Sequence, residues 1–204
     1  MKNKILSFLP NDKHDISVVD FSHLHIADWK KVDSSRLIEL TEEAPEINCV
    51  CLVNASRLPV VFDGFKDNAL PIDIAQGLHN RQCECVLFPH EEADHWVLFV
   101  EMKYARDEEC CFAREHDYPN NMVEQILETV SYFRNKTILS PTQRVHALVS
   151  FPNMLDGYED RLFSTLQEEN DLSVEDIKLN HNVVIRGGNG GKIISKKRIK
   201  LRTS

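Results

Sequence analysis

No apolar run in this 204-residue chain approaches the roughly 18 residues that a bilayer-spanning helix requires, so no membrane segment is expected. No small-residue cleavage site follows the short basic and apolar start MKNKILSFLP, so no signal peptide is read and a cytoplasmic protein is expected. There is no C-x-x-C loop of the kind that holds zinc or an iron–sulfur cluster. The six cysteines fall as Cys49/Cys51, Cys83/Cys85 and Cys110/Cys111. The first two pairs lie within apolar stretches, where free cysteine acts as a small hydrophobe, so unpaired thiols are expected. The GGNGG stretch at 187–191 has no Gly-Lys-Ser/Thr and no helix after it, which excludes a phosphate loop. His23, His25, His90 and His95 make no metal-binding pattern. Without repeats or a low-complexity linker, the chain is expected to form a single domain over 1–204.

Charge is unevenly distributed. The net value is −8, but six of the 24 basic residues (Lys192, Lys196, Lys197, Arg198, Lys200 and Arg202) fall after residue 191, where no acidic residue occurs. The preceding 191 residues keep 18 basic side chains against all 32 acidic ones, a balance of −14. Such a body does not grip nucleic acid over its whole surface, but it leaves room for one cationic strip.

Periodicity places the elements. VDSSRLIELTEEA predicts a helix over 34–44, capped by Asp33 or Ser34, with Leu37, Ile38, Thr41 and Ala44 on one stripe. INCVCLVNA and RLPVVFDGF read as two strands forming a hairpin. Residues 66–80 read as irregular, with a helical turn after Pro71. Strands are expected over 82–88 and 95–104, then a polar loop. NNMVEQILETVSYFR predicts a helix capped by Asn120 or Asn121, with Val123, Ile126, Leu127, Val130 and Phe133 buried. RVHALVSFP is a strand, and GYEDRLFSTLQEE an amphipathic helix with Leu162, Phe163 and Leu166 inward. NVVIRG and KIISKKRIKL are strands joined through the glycine-rich stretch. The order implies an α/β fold on a mixed central sheet flanked by helices.

The chemistry concentrates in RQCECVLFPHEEADHWVLFVEMKYA. Strand alternation sets Glu101 and Lys103 on the same face as Val97 and Phe99, beside a strand carrying Glu84. Charges on an apolar face call for a partner or a metal.

An acidic residue on one strand, Glu-x-Lys on the next and an αβ crossover after them resemble the PD-(D/E)xK nuclease superfamily. The resemblance spans about 35–151. It implies a restriction-endonuclease-like αβββαβ core over about 33–152, with a helix and hairpin added over about 153–204. It implies Mg²⁺ (or Mn²⁺) held by Glu84 and Glu101, with Lys103 stabilising charge during hydrolysis of DNA. Glu84 stands where the family usually has Asp, and Asp63 and Asp73 are alternatives for that role. The leading helix would supply another carboxylate from Glu39, Glu42 or Glu43. Some exonuclease-type members carry Gln and then Tyr on the later helix, which points to Gln125, with Tyr132 seven residues on. Lys192, Lys196, Lys197 and Arg198 are candidate nucleic-acid contacts. The alternative expectation is a catalytically inactive member of the fold that binds a protein partner through its acidic surface.

Overall fold

The computed structural model describes residues 1–30, 32–33, 37–73, 76–90, 95–113, 115–154, 158–159, 161–164 and 173–201. Two sheets and a helical layer stack in three tiers. The first sheet has six strands: β1 (His14–Val19), β5 (Val60–Phe65), β8 (Cys85–Pro89), β9 (Leu98–Met102), β10 (Val145–Ser150) and β11 (Val183–Gly187), in that spatial order. The strands from β1 to β9 pair antiparallel, and β10 and β11 then run parallel to β9. Every residue of β8 and β9 is buried, as expected of central strands covered on both faces.

One face of this sheet is covered by α3 (Tyr118–Asn135), the crossover from β9 to β10. Its Val123, Ile126, Val130 and Phe133 meet Val86, Val97, Phe99 and Ala147. The Phe133 ring lies edge-on to Phe99 and Phe65, with centroids 5.5 and 6.0 Å apart. The stripe read from the sequence is buried except for Leu127, which is partly buried. The helix begins at Tyr118, with Asp117 before it and Pro119 in its first turn, so Asn120 and Asn121 lie inside it and are not its cap. Proline suits that turn because its missing N–H has no intrahelical role there. Short helices α1 (Lys2–Phe8) and α2 (Glu108–Cys111) flank this layer, α2 occupying part of the expected loop.

The other face is covered by a second sheet of five strands, β13 (Arg198–Leu201), β12 (Gly190–Ser195), β4 (Val50–Val53), β2 (His23–Asp28) and β3 (Ile38–Thr41). Leu24, Ile26, Val50 and Leu52 pack there against Phe62, Leu87, Leu98 and Val100. This sheet overturns several expectations. The helix expected over 34–44 gives way to β3, which pairs antiparallel with β2 so that Leu40 opposes Ile26 and Ile38 opposes Asp28. Cross-strand pairing outweighs a weak helical stripe containing β-branched Ile38 and Thr41. Of the two caps expected there, Ser34 lies outside the described residues.

Strands β4 and β5 are not a hairpin, because they belong to different sheets. The turn between them is held by Asn54, whose side chain donates to the Phe21 and Leu58 carbonyls, both at 2.9 Å. The glycine stretch likewise carries the chain from one sheet to the other. At Gly190 a Cβ would lie 2.7 Å from the Cys51 carbonyl oxygen, so glycine permits the close approach of β12 to β4. The C-terminal hairpin is instead β12–β13, turning at Lys196 and Lys197. Residues 183–201 thus supply strands to both sheets.

In the irregular segment, β6 (Pro71–Asp73) and β7 (Leu78–His79) form a small antiparallel pair. In the later amphipathic segment 161–164 are helical with Leu162 buried, while Leu166 lies outside the described residues. A further helix, α4 (Val174–His181), starts at a capping box between Ser173 and Asp176. Among the described residues no helix is long and apolar enough to cross a membrane. All six cysteines are free thiols.

Candidate active site

The site lies where β8 begins and β9 ends. Glu84 directly precedes β8, whose first residue Cys85 opposes Val100, so Glu84 and Glu101 lie at the same end of the β8–β9 ladder. Two backbone bonds fix the strand ends: Glu84 N–H donates to the Val100 carbonyl, and Lys103 N–H to that of Ser150, each at 3.0 Å. Val97 and Phe99 belong to the helix-side core, while Leu98, Val100 and Met102 belong to the inter-sheet core. Glu101 and Lys103 therefore share the helix-covered face, as alternation requires.

The Lys103 ammonium joins the two carboxylates. Its Nζ lies 2.6 Å from Glu101 Oε1 and 3.7 Å from Glu84 Oε1. The shorter contact is an ion pair poorly aligned as a hydrogen bond, and Glu101 Oε2 has no hydrogen-bond partner among the described residues. Glu101 is fully buried, whereas Glu84 and Lys103 keep 15% and 24% of their side chains exposed at the cleft. Burial, then the neighbouring Glu84 charge, pushes Glu101 up to about 8 against the pull of Lys103. Burial also raises Glu84, again opposed by Lys103. For Lys103, burial favours the neutral amine, but Glu101 and Glu84 outweigh it and the pKa is raised.

Glu84 and Lys103 open onto a cleft of about 810 Å³ lined by residues from both sheets, the β6–β7 pair and α3, with Glu101 buried behind them. Gln125, on α3, lines it and donates its amide to the Gln82 carbonyl at 3.0 Å. Tyr132 does not reach it: the side chain is 4% exposed and packs in the helix-side core. The tyrosine of α3 in the cleft is Tyr118, seven residues before Gln125 and so on the same helical face.

Asp28 also belongs to the site, although nothing in the sequence around it points there. It ends β2 in the second sheet, is 6% exposed, lines the cleft and adds to the electrostatic rise of Glu84 and Glu101. No local pattern marks it, because the second sheet brings it to Glu84 from 56 residues upstream. Its Oδ1 accepts the Lys30 N–H at 3.0 Å, and Lys30 reaches across to Asp67 at 2.6 Å.

The other candidates lie elsewhere. Glu39 opposes Ala27 within the second sheet, and Glu42 pairs with Arg57 and the Ser22 N–H at the far end of β2. Glu43 follows Glu42 away from the cleft, so no leading-helix carboxylate exists there. Asp63 pairs with His14 at 2.8 Å inside the core, and Asp73 binds the Gln76 amide. Lys192 pairs with Val53 in the second sheet and does not line the cleft, and the hairpin turn carrying Lys196, Lys197 and Arg198 is distant from it. The Ser195 carbonyl accepts the Trp96 indole N–H at 2.9 Å, just before β9, whereas Lys103 follows β9. Seven residues of extended chain separate them by about 23 Å.

No protein family, curated protein or solved structure that we compared matches the chain. Among the described residues no three His, Cys, Asp or Glu side chains form a ready metal cage. Magnesium does not require one, since it is commonly held by one or two carboxylates with retained waters. The unpartnered Glu101 Oε2 and the neighbouring Glu84 fit that donor set. Lys103 supplies the positive charge that two crowded carboxylates need.

Proposed function

We propose that the chain is a divalent-metal-dependent nuclease of the PD-(D/E)xK type that hydrolyses DNA phosphodiester bonds at Glu84, Glu101 and Lys103. The observation that carries this reading is the meeting of the two carboxylates at one ammonium on a cleft wall, with a buried carboxylate oxygen left unpartnered. The strand order β5, β8, β9, then α3 and a parallel β10, supports a restriction-endonuclease-like core in which a second sheet stands in place of the leading helix. Six free thiols suit a reducing compartment, which supports a cytoplasmic location.

Glu84 and Glu101 would hold Mg²⁺ or Mn²⁺, with Asp28 adding negative charge from the opposite sheet. The bound ion supplies polarisation of a phosphoryl oxygen and a water of lowered pKa. Lys103 faces the same space and offers a preorganised cation to the negative charge that develops on the phosphoryl group. Gln125, held by Gln82, shapes the wall beside it.

The test is titration with Mg²⁺ and Mn²⁺, together with cleavage of mixed DNA substrates. Wild type should bind the ion and cut; Glu101→Gln should lose most metal affinity. Lys103→Ala should keep the metal but turn over roughly 10²–10³-fold more slowly. A wild-type protein that binds no divalent ion and cuts nothing would favour an inactive module that docks a protein partner. The lack of a three-ligand cluster among the described residues is the observation on that side.

A further inference from the structure

We infer that the cleft takes a single-stranded nucleic-acid end rather than a duplex; the inference rests on the nuclease reading and names its substrate. Charge is the first observation. Duplex binding draws on many phosphate contacts made by cations in surplus. Among the described residues three cations, Lys30, Arg81 and Lys103, line the cleft against three carboxylates, Asp28, Asp67 and Glu84. Each cation is already engaged: Lys30 with Asp67, Arg81 with Glu124 on α3, and Lys103 with Glu84 and Glu101. Lys196, Lys197 and Arg198 lie at the turn of the β12–β13 hairpin, at the other end of β9.

Size is the second observation. A cleft of about 810 Å³ falls within the range of pockets that enclose small ligands. A pocket of that scale admits individual nucleotides, whereas a duplex spreads its phosphates over a face wider than one pocket. The third observation is the lining itself. Tyr104, Tyr118 and His79 bring rings to the cleft walls. Tyr104 is fixed by donating its hydroxyl to the Asn48 carbonyl at 2.8 Å, and Tyr118 by stacking on His116 with centroids 5.0 Å apart. Beside the cleft, the β6–β7 pair exposes Ile72 and Leu78, 61% and 49% accessible. Rings and apolar side chains receive unstacked bases, which a single strand offers and a duplex does not.

The experiment measures fluorescence anisotropy of a labelled eight-nucleotide thymidine strand and of a blunt eight-base-pair duplex, with Ca²⁺ present, and then their cleavage with Mg²⁺. The strand should bind at least tenfold tighter, and log Kobs against log salt should fall no more steeply than about −2, as for three or fewer phosphate contacts. Tyr118→Ala should weaken strand binding roughly tenfold or more, with Tyr118→Phe near wild type, on the scale of one lost base stack. Equal or tighter duplex binding, binding of neither, or a folded Tyr118→Ala with unchanged affinity overturns the inference. Should Tyr118→Ala fail to fold, the wild-type strand preference decides alone. Preferential cleavage of duplex would sink the inference and keep the nuclease. Tight strand binding without cleavage by any divalent ion would do the reverse.

Discussion

Glu84 and Glu101 meet at one end of the β8–β9 ladder, and one ammonium, that of Lys103, lies within 4 Å of both. Carboxylates this close in a buried setting repel, so one of them keeps a proton or the two share a cation. Lys103 fills that role from within the chain, and a divalent ion at the cleft would share it.

The pH dependence follows from Glu101. Its native pKa is raised to about 8 from an ordinary 4.5, so the native state retains a proton that the unfolded chain releases. By linkage the contribution of this group to stability falls as pH rises from about 4.5 to about 8 and is level above that. Metal binding needs the carboxylate, so Mg²⁺ affinity should rise over the same window. Urea midpoints and calorimetric titrations between pH 5 and 9 would measure both. Glu101→Gln should flatten the two profiles; an unchanged slope in the variant would assign the titration to another group.

Asp28 reaches the cleft from the second sheet and shifts both catalytic candidates electrostatically. Asp28→Asn keeps the acceptor for the Lys30 N–H but removes the charge. Metal-stimulated turnover should drop about 10–100-fold, the scale for a group supporting a metal site, with little change in melting temperature. Loss of folding without loss of specific activity in the remaining folded protein would make Asp28 a structural residue only.

His14 and Asp63 form a buried pair tying β1 to β5, with side chains 1% and 0% exposed. Burial raises the Asp63 pKa, and His14 opposes that rise. Removing one partner strands the other, so Asp63→Ala should destabilise by about 3–5 kcal/mol in equilibrium denaturation. Because the pair lies outside the cleft lining, activity per folded molecule should stay at the wild-type level.

The basic hairpin is part of the fold. Ile193, Ile199 and Leu201 are buried in the inter-sheet core, so deleting the chain after Gly191 should abolish folding. Exchanging Lys196, Lys197 and Arg198 together for Gln touches only exposed side chains and should leave melting temperature and cleft activity within about twofold of wild type. A large loss of DNA affinity in that triple variant would show that the substrate extends along β9 to the hairpin.

The short-range features were legible because their physics is short-ranged. Alternation alone placed Glu101 and Lys103 with Val97 and Phe99, and helical spacing alone chose Val123, Ile126, Val130 and Phe133 as the buried face of α3. Tertiary structure decided which strands pair and therefore which distant residues meet. LIELTEEA satisfies a helical stripe, yet Ile38–Thr41 became a strand because β2 offers it a ladder partner in register. Asp28 carries no signal of its own; it enters the cleft because that same sheet is laid across β5, β8 and β9 by their shared apolar faces. Local spacing sets which face a side chain takes, whereas burial of apolar area between layers sets what that face meets, and only the folded chain contains that term.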